Sequence, residues 1–220
     1  MAIMEFITPL HVRAKRDYVA RVVAHDKAAC ATKAKQWGAD YWDGERQYGY
    51  GGYRYDGRWH SVAQRMAAHY DLTPESRILD VGCGKGHLLY EFTRAVPGMT
   101  VAGLDISPYA LEHAKEEIRP FLTLGNAVAL PYPDHHFDLV YSITTLHNLF
   151  CHELEPALRE LRRVGRDHRF IVVESYRNER EKANLLYWQL TCESFFTPAE
   201  WQWWFDHCGY DGDAEFIYFP

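Results

Sequence analysis

The 220-residue sequence contains no apolar run approaching the ~18 residues that cross a bilayer. Its first residues show no basic start followed by an apolar segment, so no secretory leader is expected. Cysteine is sparse. Cys30, Cys83, Cys151, Cys192 and Cys208 are odd in number, widely spaced and without a CxxC pair. A disulfide framework or a zinc site is therefore not expected, and reduced thiols in a cytoplasmic protein fit best. Positive charge is also short: 24 Lys and Arg stand against 30 Asp and Glu, for a net charge of −6. Wholesale nucleic-acid binding is not suggested by that balance. Residues 1–60 run against it, with 10 Lys and Arg to 7 Asp and Glu. No internal repeat and no low-complexity tract is present.

Aromatic residues are abundant at 15%, and they gather at 37–59 and 187–219. The stretch QYGYGGYRYDGRW (47–59) holds five aromatics, four glycines and two arginines. Glycine adds no buried surface and costs backbone entropy, so this is poor core material. Disordered linkers, in turn, are poor in aromatics. Rings on a flexible backbone suit a segment that closes over a ligand, although packing of a cap onto a sheet edge would look similar.

Residues 10–36 read as one helix rich in Ala, Lys and Arg, and Trp59 to Tyr70 as another. Beyond them, short apolar runs alternate with helical patterns. Strands are expected at 77–81, 100–105, 121–124, 137–143, 169–174 and 215–219, and helices at 87–95, 107–118, 154–164 and 197–208. Such alternation implies an α/β fold with a mainly parallel sheet covered on both faces. The expected division is an N-terminal helix and aromatic cap over 1–60 and one domain over 61–220.

ILDVGCGKGHL (78–88) runs from a strand through glycines into a helix. Gly82, Gly84 and Gly86 allow close backbone approach, and the helix start offers free N–H groups. A dinucleotide pyrophosphate could use the same geometry. Two details disfavour it. Asp80 would repel a pyrophosphate but suit an ammonium group, and the third glycine of GxGxxG is replaced by His87. Asp105 ends the second strand, where a carboxylate would meet a ribose diol.

Together, LDVGCGKG, GLDIS and GNAVALPYPDHHFDLVYS resemble the class I S-adenosylmethionine-dependent methyltransferases over residues 76–176. The resemblance implies a Rossmann-like, doubly wound sheet of six or seven strands, with S-adenosyl-L-methionine across the carboxyl ends of the first strands. It implies that the loop from Asp80 through Gly82, Cys83, Gly84 and Gly86 holds the methionine part, with Asp80 near its amino group. Asp105 would take the ribose hydroxyls, Ile106 would pack on adenine, and Asn126 and Ala127 would flank its edge. Ser142, Tyr48 and Arg58 complete the expected cofactor set. Asn126 stands where members often carry Asp, which weakens one hydrogen bond to the adenine amino group.

SITTLHN (142–148) ends the fourth strand at the ligand edge of the sheet. His147 is the expected general base, with Tyr50 and Tyr176 as further catalytic candidates. Asn148, Arg177 and Tyr53 are expected to face the substrate. TLHN is not the NPPY-type tetrapeptide of members that methylate amide or base nitrogens. Glu174, Tyr176, Arg177 and Asn178 form a polar group after the fifth strand, and Tyr187 and Trp188 are candidates for the pocket wall. Trp201, Trp203 and Trp204 cannot all point one way on a helix, which leaves the lid or a homodimer face for some of them.

The expected reaction is methyl transfer to a small polar substrate, with no nucleic acid, membrane or metal involved. An aromatic cage around a sulfonium could instead direct aminocarboxypropyl transfer or internal cyclisation. A non-catalytic partner subunit is the reading from another class, and the intact glycine loop with both aspartates argues against it.

Overall fold

The computed structural model describes residues 1–14 and 16–220. Six strands form one sheet: β1 (Arg77–Val81), β2 (Thr100–Asp105), β3 (Leu122–Leu124), β4 (Phe137–Ile143), β5 (Gly165–Glu174) and β6 (Asp213–Ile217). Their order is β3-β2-β1-β4-β5-β6, and every neighbouring pair is parallel. The chain runs outward from β1 in both directions, so a crevice opens between the carboxyl ends of β1 and β4. Among the described residues no seventh strand is present. The outer edge of β6 is met instead by Ile3, in a parallel bridge to Ala214.

Among the described residues ten α-helices accompany the strands: α1 (Thr8–His11), α2 (Tyr18–Val23), α3 (Lys27–Ala34), α4 (Ala39–Trp42), α5 (His60–His69), α6 (His87–Ala95), α7 (Pro108–Glu112), α8 (Cys151–Val164), α9 (Glu179–Trp188) and α10 (Pro198–Cys208). Adjacent strand residues point to opposite faces, and each face has its own core. Ile78, Leu139 and Phe170 pack with Val62 and Met66 of α5 and Phe92 of α6. Leu79, Val140 and Ile171 pack with Leu158 and Leu161 of α8 and Trp201 and Phe205 of α10.

The helix expected over 10–36 is three short ones. Asp17 accepts from the Ala20 N–H at 2.9 Å, and Asp26 accepts from the Ala28 and Ala29 N–H groups at 2.9 and 3.1 Å. Each aspartate caps a new helix start and so breaks the run. The helix after Ser107 begins as expected, with Pro108 in its first turn, but ends at Glu112 rather than Ile118. Of the clustered tryptophans, Trp201 is fully buried and donates to the Glu174 carbonyl at 3.2 Å, while Trp203 lies in solvent.

Candidate functional site

At the end of β1 the chain turns through three glycines, all at positive φ: Gly82 (87°), Gly84 (55°) and Gly86 (67°). The Gly84 N–H donates to Asp105 Oδ2 at 2.7 Å, which ties the loop to the end of β2. A Cβ on Gly84 would lie 2.8 Å from the Trp42 ring, so the missing side chain lets an aromatic wall descend onto the loop. A Cβ on Gly86 would lie 2.7 Å from Ile118 Cγ2, a contact inside the fold.

Two cavities meet above this loop. The smaller, of about 220 Å³, is lined by Asp105, Ile106, Asn126, Ala127, Asn148 and Leu149, among others. Asp105 also accepts from the Ser107 N–H at 2.8 Å, and burial holds its carboxyl above the usual range. Asn126 Oδ1 accepts from the Val128 N–H at 3.2 Å, so its carbonyl closes a local turn. Asn148 donates to the Thr144 carbonyl at 3.3 Å, while its Oδ1 is buried with no partner in the protein.

The larger cavity, of about 410 Å³, is lined by two contact-linked groups, Tyr53 with His87 in one and Trp188 with three arginines in the other. With the first go Asp80, Gly82, Cys83, Gly84, Arg54 and Arg58. With the second, whose arginines are Arg16, Arg21 and Arg46, goes Glu174 through Gln189. Tyr41, Trp42, Tyr50, Gly82, Ile143 and Thr144 line both cavities. The shared wall is a packed aromatic ladder. Trp42 stacks on Tyr50 at 5.4 Å between centroids, Tyr50 meets Tyr53 at 4.5 Å, and Tyr53 stacks on His87 at 4.8 Å. The ladder is pinned at two points. Trp42 Nε1 donates to Ser107 Oγ at 3.0 Å, and the buried Lys85 ammonium pairs with Asp43 at 2.6 Å.

Two buried carboxylates face the larger cavity. Asp80 is pushed well above the usual carboxylate range by burial. Burial also raises Glu174, to about 8, against the pull of a hydrogen bond from Gln189 and the charge of Arg16.

Of the sequence-predicted residues, Asp80, Gly82, Cys83, Gly84, Tyr50, Tyr53 and Arg58 come together on the larger cavity. Asp105, Ile106, Asn126, Ala127 and Asn148 come together on the smaller. Asn148 is thus on the side away from Glu174, not facing an acceptor. Arg58 already pairs with Asp56 through its Nε at 2.7 Å. Six residues lie off both cavities. Gly86 only starts α6. Ser142 donates to the Val81 carbonyl at 2.8 Å and stitches β4 to β1. Tyr48 turns outward to Lys33, whose Nζ sits 4.1 Å from its ring centroid. Tyr176 is packed in the core, and Arg177 pairs with Glu181 over the Tyr218 ring.

His147, the expected base, is 2% exposed. Burial drops its imidazole to about 3, so it stays neutral. Its Nδ1 accepts from the Glu174 N–H at 3.3 Å and its Nε2 lies 3.6 Å from the Glu174 carboxylate. It holds Glu174 from behind. Sequence reasoning missed Tyr41 and Trp42 as the shared wall, and Arg16, Arg21 and Arg46. It grouped Glu174 with its neighbours without giving it a role, although Glu174 ends its strand as Asp105 does, and Asp80 lies one residue from the end of its own.

Residues 79–173 match the family of methyltransferase domains. The match spans 95 of the 220 residues, from β1 into β5, so this part of the chain is similar to a methyltransferase domain, in line with the resemblance seen in its motifs. It is 32% identical over 114 residues to the 27-O-demethylrifamycin SV methyltransferase of Amycolatopsis mediterranei, covering 48% of this chain and 42% of that one. It is 34% identical over 128 residues to the demethylmenaquinone methyltransferase of Symbiobacterium thermophilum, covering 54% and 50%. The chain thus spans about half the length of the curated relatives it matches. The crystal structure of Bacillus subtilis YcgJ shares the fold, with a TM-score of 0.53 at 23% identity over 66% of each chain.

The cofactor that this family implies is S-adenosylmethionine, and the residues of this chain fit it. Asp80 presents a buried carboxylate that has no ion-pair partner among the described residues, which would suit an ammonium group. Asn148 Oδ1 is an orphaned acceptor on the smaller cavity. The loop backbone and the shared aromatic faces leave room for a cation beside them.

Proposed function

We propose that this protein transfers the methyl group of S-adenosylmethionine to the oxygen, nitrogen or sulfur of a small polar substrate. The observation that carries the reading is the meeting of the two cavities at one aromatic wall, with Asp80 and Glu174 both on the larger cavity. Asp80 would hold the amino group, Asp105 the ribose, and Ile106, Asn126 and Ala127 the adenine. Tyr41, Trp42 and Tyr50 would turn their ring faces to the sulfonium. When bound, the cofactor supplies an electrophilic methyl carbon whose bond to sulfur breaks as the acceptor's lone pair attacks.

The protein's part is alignment and proton removal. Glu174 is the group placed to take the acceptor's proton. Gln189 and the neutral His147 lie against its carboxylate, and burial raises it to about 8, so that it is a stronger base once its proton has left. The 47–59 segment acts as the lid, held shut over the glycine loop by the Asp43–Lys85 pair. Among the described residues no helix is long and apolar enough to cross a membrane, which suits a substrate met in water.

Calorimetry with S-adenosylhomocysteine tests the cofactor site, and product analysis tests the bond broken. Release of S-adenosylhomocysteine supports methyl transfer. Release of methylthioadenosine would move the reading to aminocarboxypropyl transfer or cyclisation, and no binding at all would sink both.

A further inference from the structure

Three arginines converge on one ring in the wall of the larger cavity. The guanidinium carbons of Arg16, Arg21 and Arg46 lie 5.3, 4.9 and 5.2 Å from the Trp188 ring centroid. They come from three separate segments and all line the cavity. None has a carboxylate within 4 Å among the described residues, whereas Arg58, Arg94, Arg159 and Arg163 each have one. Their donors meet mostly backbone carbonyls. Arg16 reaches His11 and Ala14, Arg21 reaches Trp188 and Arg46, and Arg46 reaches Gly49. Arg16 also touches His11 Nδ1, and its Nε is buried with no partner.

Arg16 and Arg21 are half-buried and Arg46 is exposed, and only Arg16 feels a carboxylate, that of Glu174, at a distance beyond an ion pair. Neighbouring cations that repel one another without a paired counter-ion are costly, and an anion relieves that cost. Burial lowers all three guanidinium pKa values, and Arg46 lowers the other two further. Guanidinium forks bind carboxylate and phosphate in two-point fashion.

We infer that the acceptor is an acidic small molecule whose carboxylate or phosphate is held by Arg16, Arg21 and Arg46 around Trp188. This rests on the methyl-transfer reading and names its substrate class. The three arginines are linked to Glu174 through Trp188 and Gln189. They line no part of the smaller cavity. The methionine carboxylate would have other cations to meet near the glycine loop, since Arg54 and Arg58 line the same cavity, although Arg58 is paired with Asp56. Ile7, Leu10 and Phe219 form an apolar wall below the arginines. The anionic group is thus a handle at one end, an apolar body lies along that wall, and the nucleophile reaches Glu174.

The test is calorimetric titration of the full chain, with and without saturating S-adenosylhomocysteine, using benzoate, phenyl phosphate and neutral benzamide as probes. Both or one of the anions should bind, and benzamide at least about tenfold more weakly. The stronger anion tells carboxylate from phosphate. Arg46→Gln and Arg21→Gln should each weaken the anion by about tenfold while S-adenosylhomocysteine affinity stays within about twofold. Equal binding of benzamide and the anions by the unaltered chain would overturn the inference, with no variant needed. So would a parallel loss of S-adenosylhomocysteine affinity in both variants, which would assign the arginines to the cofactor's carboxylate. If S-adenosylhomocysteine does not bind but the anions still do, the methyl-transfer reading fails and the anion site stands.

Discussion

Glu174 ends β5 and Asp80 lies one residue before the end of β1, and both are buried, yet their neighbours give them different work. Asp80 has no cationic partner, so its ionised form is disfavoured until an ammonium group arrives. Asp80→Asn should weaken S-adenosylhomocysteine binding by about 1.5–3 kcal/mol, roughly tenfold to a hundredfold, by calorimetry. The same change should help the ligand-free fold. A carboxyl raised in the folded state holds its proton longer than in the unfolded chain. Its contribution is therefore best below the unfolded value and lost as pH rises through the folded one. The Asn variant should gain stability over the unaltered chain at pH 8 and not at pH 4, in urea titrations. Glu174 sits against Gln189 and a neutral histidine, at about 8. As a base it must lose its proton first, so kcat/KM should rise with pH through about 8. Glu174→Gln should abolish that limb and lower kcat by about 10²–10⁴-fold. Asp80 and Asp105 were legible as carboxylates at the crevice edge because a parallel sheet brings its carboxyl ends together there, whereas Glu174 was hidden among polar neighbours. His147 was misplaced because its orientation depends on the β5 backbone, which no local pattern encodes.

At the level of elements, the glycine loop and the aromatic segment are one construction. Gly84 and Gly86 share a positive φ, so an alanine at either costs about 1–2 kcal/mol of backbone strain. Their surroundings differ: the Trp42 ring at Gly84, and Ile118 at Gly86. Gly84→Ala should displace Trp42 and reduce S-adenosylhomocysteine affinity by about tenfold or more as well as stability. Gly86→Ala should cost stability and leave affinity nearly unchanged. Denaturant titration and calorimetry on the pair separate the two effects. The strand–loop–helix order was legible because apolar runs and glycines are local signals. The breakup of 10–36 into three helices was less so. Asp17 and Asp26 serve equally well on a helix surface, and only the path over the sheet makes them caps. The lid was legible as a segment but not residue by residue. Tyr50 and Tyr53 face the cavity while Tyr48 meets Lys33, a choice made by tertiary packing.

Across the whole molecule, the two ends of the chain close the sheet and build the site together. An exposed strand edge invites unwanted pairing, and β6 is shielded by the N-terminal segment. Ala214 exchanges backbone hydrogen bonds with Ala2 and Met4 at 3.0 and 2.8 Å. The buried Glu215 carboxylate accepts from the Phe6 N–H at 2.7 Å and the Ile7 N–H at 2.9 Å, and also from Thr8. Phe6 then sets its ring edge against Phe170 at 5.3 Å. This anchoring carries Ile7, Leu10 and His11 to the large cavity, next to Arg16. Glu215→Gln puts an amide donor toward backbone donors and removes charge from those bonds, at a cost of about 2–4 kcal/mol. That corresponds to a Tm lower by roughly 5–12 °C for a chain of this size. Because the anchored segment walls the large cavity beside Arg16, the acceptor's KM should rise more than the S-adenosylhomocysteine Kd. Equal changes in the two would mean that the segment braces the fold without shaping the acceptor's site.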